Sequence, residues 1–342
     1  MEQVIKSELA EQEIRSGIAE KYGVTAYRED GQITFAKQTE CVRLVPCPAA
    51  MRRNPPLAGA GRLPCMADVV RVVPYYICGI GTETGDASDA YTDTLMRAAL
   101  SYQNRMRVPF ALINTDSALP YEQYGFHCIC EKAEYKLREG TRFVVADRSS
   151  QLTLAHFVNA ALCRKYGLFA IRSALYYEKL QARLEAQGGS VCLIKENDGL
   201  KGYFTYIRPD TIGEVVLAED ADIERYFEVS DGKKPATMAR IVNLSEMLRH
   251  ISSAGKVTVA IRISDPVFAQ NDGLFIWYLD ENGSRMERAE EPQGAAPGAM
   301  RPEISVTIGE LTAFFFEHIK LKQNMKFDSI YLSGPAWLHE PL

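Results

Sequence analysis

The stretch from Val72 to Phe126 constrains the chain most, because strand and helix patterns alternate there at spacings that leave few other foldings. It opens on Val72-Val73-Pro74-Tyr75-Tyr76-Ile77-Cys78-Gly79-Ile80-Gly81-Thr82, an apolar strand that runs out in small residues. A polar loop, Glu83 to Ala90, leads into Tyr91 to Leu100, where apolar residues recur at helical spacing. Pro109-Phe110-Ala111-Leu112-Ile113-Asn114 reads as a second apolar strand. Leu119-Pro120-Tyr121-Glu122-Gln123-Tyr124-Gly125-Phe126 closes the unit as an aromatic turn. Strand, loop, helix and strand in that order make a βαβ-type unit, whose loop delivers backbone N–H groups to a helix N-terminus where a phosphate can bind.

Three phrases here resemble the GNAT N-acetyltransferases, and within them the Eis-like (enhanced intracellular survival) branch. They are Gly79-Ile80-Gly81-Thr82 at the strand end, Leu95-Met96-Arg97-Ala98-Ala99-Leu100 in the helix, and Tyr121-Glu122-Gln123-Tyr124-Gly125-Phe126 in the turn. The resemblance implies an α+β / α/β architecture of tandem GNAT-fold domains with mixed sheets flanked by helices. A sterol-carrier-protein-like α/β domain would follow. The implied divisions are 1–147 for an abbreviated N-terminal GNAT domain, 148–236 for a second GNAT-like domain, and 237–342 for the sterol-carrier-like domain with its tail. The abbreviation is expected because a strand and helical turn usual before the helix have no counterpart here.

The resemblance also implies acetyl-coenzyme A as co-substrate, no metal, and a small-molecule or peptide amine as acceptor. It implies a homo-oligomer, a dimer or hexamer. Ile77, Cys78, Gly79, Ile80, Gly81 and Thr82 would cradle the thioester, Tyr121 would protonate the departing thiolate, and the carboxylate of Leu342 would share in proton handling. Trp337, Leu338 and Pro341 would anchor that tail. The family's pyrophosphate loop reads Arg-Gly-x-Gly or Arg-Gly-x-Ala, and the corresponding positions here are Ala87, Ser88, Asp89 and Ala90. The guanidinium and the glycine are gone. Asp86 and Asp89 stand in their neighbourhood, and two like charges about 5 Å apart repel by roughly 3 kcal/mol at an effective dielectric near 20. The same two aspartates also suit a helix N-terminus, with Ser88 or Asp89 as its cap. Two functions therefore stay open: N-acetyl transfer from acetyl-coenzyme A to an amine, or a degenerate GNAT-fold protein that binds a ligand or partner without catalysis.

Composition narrows the partners. A net charge of -5 and a pI near 5.7 argue against nucleic acid or an anionic membrane as the main partner. No apolar run reaches the roughly 18 residues of a membrane span, and Met1-Glu2-Gln3-Val4-Ile5-Lys6 carries no signal-peptide core, so a cytoplasmic protein is expected. The eight cysteines include no Cys-x-x-Cys pair, and free thiols are expected. The 17 tyrosines and 14 phenylalanines together with the acidic balance would suit a cleft for cationic amines. His127, beside the aromatic turn, either faces the acceptor or is an ordinary strand histidine.

Elsewhere the pattern predicts a helix over 1–23 with Val4, Ile5, Leu9, Ile14 and Ile18 in one stripe, and a hairpin around Glu29-Asp30-Gly31. A loop is expected over 46–64, a helix over 156–166, and another ending at Gly188-Gly189. Strands are expected at 190–194, 202–206, 257–263, 274–279 and 304–308, with a loop over 281–301.

Overall fold

The structure is a computed structural model that describes residues 2–38, 40–52, 66, 69–82, 91–197, 199–207, 211–290, 302–321, 325–332 and 334–338. In chain order it runs α1 (Glu2–Tyr22), β1 (Thr25–Glu29), β2 (Gln32–Lys37), β3 (Glu40–Pro46), β4 (Ala49–Arg52), β5 (Val69–Val72), β6 (Tyr75–Thr82), α2 (Thr92–Arg105), β7 (Phe110–Asn114), α3 (Leu119–Glu122), β8 (His127–Leu137) and β9 (Val144–Val145). Then come α4 (Gln151–Lys165), β10 (Leu168–Ala170), α5 (Ala174–Ala186), β11 (Ser190–Glu196), β12 (Gly199–Ile207), β13 (Thr211–Leu217), α6 (Ile223–Tyr226) and β14 (Phe227–Ile241). The last third holds α7 (Leu244–Leu248), β15 (Ser252–Ser253), β16 (Val257–Ser264), β17 (Gly273–Asp280), β18 (Gly283–Arg288), β19 (Ile304–Thr307), α8 (Ile308–Phe315), β20 (Ile330–Tyr331) and β21 (Ala336–Trp337).

A seven-stranded mixed sheet, ordered β1-β2-β3-β6-β7-β14-β8, organises the molecule. Its central strand β7 is apolar and buried on both sides, and period-two alternation sends neighbours to opposite faces. Val42, Leu44, Ile77, Ala111, Ile113 and Met238 join Leu95, Met96, Ala99 and Leu100 of α2 in one core. Tyr76, Phe110, Leu112, Ala239 and Ile241 face the other way, against Ile308, Leu311 and Phe315 of α8 and Phe316 just past its end. Of the expected stripe on α1, Ile18 is fully buried in the α2 core and Ile14 packs against it, whereas Leu9 is 55% exposed; the side chains of Val4 and Ile5 lie outside the described residues.

Two expectations, both of loops, change. Residues 49–52, expected in a loop, form β4, which pairs antiparallel with both β10 and β5. Residues 283–288, inside another expected loop, form β18 against β17, and Asn282 donates its N–H to Asp280 Oδ1 at 2.8 Å in the tight turn between them. The division placed at 236/237 falls within β14, whose residues pair with β7 and β8 from Phe227 to Ile241. Chain that returns from the second unit thus completes the first unit's sheet, and a single strand serves both sides of the expected boundary. The second unit keeps a four-stranded sheet, β13-β12-β11-β9, with α4 and α5. The last unit is a four-stranded sheet, β18-β17-β16-β19, in which β16 and β19 are parallel and α8 follows at once. Thr307 and Glu310 close a capping box at the start of α8.

A candidate active-site cleft between splayed strands

β6 and β7 are parallel neighbours that share one register pair, Tyr76 with Leu112. Beyond it they part. β6 stays with β3 as far as the pair Glu40–Thr82, and β7 stays with β14 as far as Asn114–Thr237. Each strand keeps its outer partner and loses its inner one, so the two diverge into a V. The register of β3 against β6 shifts between Cys41 and Arg43, and Gly79 lies in that irregularity with φ +71°. An extra residue in one strand bends it and increases its twist, and the left-handed backbone is the one glycine adopts at no steric cost. Among the described residues no strand pairs with the β7-facing edge of β6 past this point. Its backbone groups need partners from solvent or from a ligand.

The V opens into a cleft of about 1170 Å³, lined by Ile77, Cys78 and Gly79 from β6, Ile113 and Asn114 from β7, and Tyr121 from α3. Lys132 to Tyr135 of β8 and Lys234 and Ala236 of β14 line one wall. The second unit supplies the other, through Arg183 of α5 and Thr211, Ile212 and Gly213 of β13. That wall is fixed from behind. Glu214 and Arg172 form a buried ion pair at 3.0 Å, with Tyr203 donating to the same carboxylate.

Tyr121 is held by its own turn. Its carbonyl accepts the N–H groups of Tyr124 at 3.0 Å and Phe126 at 3.4 Å. Burial raises the phenol above its ordinary range, so at neutral pH it is protonated, the state a general acid requires. Of the expected cradle, Ile77, Cys78 and Gly79 line the cleft, and Ile80, Gly81 and Thr82 continue β6 as backbone. Ala87, Ser88, Asp89 and Ala90, and Leu342, lie outside the described residues. The tail leading to Leu342 is anchored at Leu338, which is fully buried and whose carbonyl accepts from the Tyr76 hydroxyl. Trp337 donates its Nε1–H to Glu214 Oε1 at 3.1 Å.

His127 does not reach the cleft. Its ring meets that of His318 at a centroid distance of 6.3 Å, at the junction with the last unit. Cys128 and Cys130 have thiols pushed up by burial, Cys130 to about 12, which leaves both protonated and poor as nucleophiles or ligands. Among the described residues no group of three or more His, Cys, Asp or Glu side chains could hold a metal, and no helix is long and apolar enough to cross a membrane.

The charge of the cleft departs from that of the chain. Asp116 pairs with Lys132 at 2.7 Å, and Glu134 pairs with Lys234 at 2.5 Å. Hydrogen bonding to Lys234 holds the Glu134 carboxyl below its ordinary range. Arg43 and Arg183 also line the cleft, and no carboxylate pairs with either among the described residues. The described walls thus carry more cationic than acidic side chains. Sequence gave no signal for Arg183, which comes from another unit, and little for Arg43, one exposed residue of an alternating strand.

No family model matches the chain, and no curated protein sequence matches it. Solved structures do match in fold. A conserved protein of unknown function from Enterococcus faecalis V583, described as a probable N-acyltransferase, superposes with a TM-score of 0.57 at 15% identity, over 83% of this chain and 78% of that one. A GCN5-related N-acetyltransferase from Anabaena variabilis gives 0.57 at 13% identity, over 88% and 84%. Eis1 from Mycobacterium abscessus gives 0.53 at 14% identity, over 82% and 78%. The parted parallel strands, the sheet order and these neighbours together establish that the chain has the fold of the GCN5-related N-acetyltransferases.

Proposed function

We propose that the chain is an Eis-like N-acetyltransferase that moves acetyl from acetyl-coenzyme A to an amine. The observation that carries this reading is the V between β6 and β7, with an unpaired strand edge at Gly79 and a protonated tyrosine at its rim. The pantetheine arm of the donor carries amides that can pair with such an edge, as an added strand would. The edge N–H groups near Gly79 would polarise the thioester carbonyl as charge develops on its oxygen. The acceptor, having lost one proton to solvent, attacks with its nitrogen lone pair. The C–N bond forms and the C–S bond breaks, Tyr121 gives its proton to the thiolate, and the proton leaving nitrogen returns to Tyr121.

The carboxylate of Leu342 is the second proton-handling group in this reading. Its support is the anchor at Leu338, since four extended residues reach about 13–14 Å and Tyr76 immediately precedes cleft-lining Ile77. The three-part organisation, with a sterol-carrier-like last domain, and a dimeric or hexameric assembly belong to the same proposal. A second reading, a binding module without catalysis, is favoured by Ala87-Ser88-Asp89-Ala90, which lacks the guanidinium and glycine of a pyrophosphate loop.

Calorimetric titration of acetyl-coenzyme A separates the two. Micromolar dissociation is expected, and Tyr121→Phe is expected to keep it while lowering kcat at least tenfold. Silence up to millimolar donor supports the binding module instead.

A further inference from the structure

We infer that the acceptor of this cleft carries an oxyanion, a carboxylate or phosphate, beside its amine, and that Arg43 and Arg183 hold it. The inference rests on the acyl-transfer reading above and names its substrate class. The described cleft walls carry four cations and two carboxylates, in a chain whose net charge is -5. Both carboxylates are taken by lysines, Asp116 by Lys132 and Glu134 by Lys234. The charge left over is the two guanidiniums.

Their placement points to the acceptor and not the donor. Val42 and Leu44 pack into the core beneath α2, so Arg43 between them stands on the opposite face of the sheet. The donor's phosphates belong at the N-terminus of α2, on the other side. Arg43 is also close to the reacting centre: a Cβ built on Gly79 would lie 3.8 Å from its Nε. Arg183 faces the same space from the second unit, so the two guanidiniums approach from different walls. Guanidinium forks suit carboxylates and phosphates, and among the described walls both carboxylates are already paired, so none is left for a cationic amine.

The test compares four amines of similar length: γ-aminobutyrate, O-phosphoethanolamine, n-butylamine and 1,4-diaminobutane. Thiol release from acetyl-coenzyme A gives kcat/KM, and calorimetry without donor gives direct affinity. An anionic amine is expected to exceed diaminobutane at least tenfold in kcat/KM, and the better of the two anions identifies carboxylate or phosphate. Arg183→Glu and Arg43→Gln are each expected to raise the KM of that acceptor at least tenfold. The acetyl-coenzyme A Kd, measured alongside, locates the loss. Both positions reach solvent, so melting curves near that of the parent chain are expected.

Transfer that favours diaminobutane, or an anion preference that survives both substitutions, overturns the inference while leaving acetyl transfer in place. Absence of donor binding together with Arg-dependent affinity for an anionic amine overturns the enzyme and supports the oxyanion site.

Discussion

Gly79 shows how much one residue decides. Its backbone is left-handed, and an added Cβ would meet only Arg43 at ordinary contact distance, so the position is constrained by conformation and not by space. Gly79→Ala is expected to cost about 1–2 kcal/mol, read as a lower melting temperature. It is also expected to weaken acetyl-coenzyme A about tenfold, because relaxing φ rotates the edge amides that face the V. Unchanged melting and affinity would show that the irregularity is not needed. The phrase Gly79-Ile80-Gly81-Thr82 and the tyrosine at 121 were legible in sequence, since small residues and aromatic turns are local signals. Arg43 and Arg183 were not, because an exposed arginine looks alike wherever its side chain ends up.

Among the elements, the turn from Leu119 to Phe126 is the clearest case of a local pattern with a remote cause. Gly125 has φ +80°, and a Cβ there would lie 2.6 Å from Ile308 Cγ2, the first residue of α8. Gly125→Ala is expected to cost about 2–5 kcal/mol, the strained backbone adding to overpacking at a helix start. Denaturant unfolding measures it, and a loss below about 1 kcal/mol would mean that α8 slides freely. The turn itself was visible in the sequence, whereas the reason its glycine must stay small lies far along the chain. β4 and β18 escaped sequence reading for a related reason. Each is a short strand among polar and small residues, with too few periods to register, and each is extended because a distant neighbour pairs with it.

Across the whole molecule, one buried ion pair ties the first unit to the last. Arg240 of β14 and Asp265, after β16, meet at 2.6 Å with both side chains inaccessible. Arg240 also donates to the carbonyl of Tyr124 at 2.5 Å, and Asp265 accepts from the N–H groups of Val267 and Phe268 and from Asn271 Nδ2. Burial lowers the arginine pKa, and Asp265 opposes that shift. Arg240→Leu would leave a carboxylate buried without its cation, and an expected loss of about 3–5 kcal/mol follows. The double change Arg240→Leu with Asp265→Leu is expected to cost less than the single one, since no buried charge is then uncompensated. A double cost as large as the sum of the two singles would show that the network contributes through shape alone.

By itself the sequence determined the strand–loop–helix–strand core, the aromatic turn, and most helices and long strands, because apolar periodicity and turn chemistry act over a few residues. Tertiary structure alone decided that β14 completes a sheet begun more than a hundred residues earlier, that β6 and β7 part after one pair, and that two arginines paired with no carboxylate among the described residues share a cleft. Those outcomes depend on which strand each edge finds and which unit covers each face, and such choices are made by burial across the chain, where no local pattern records them.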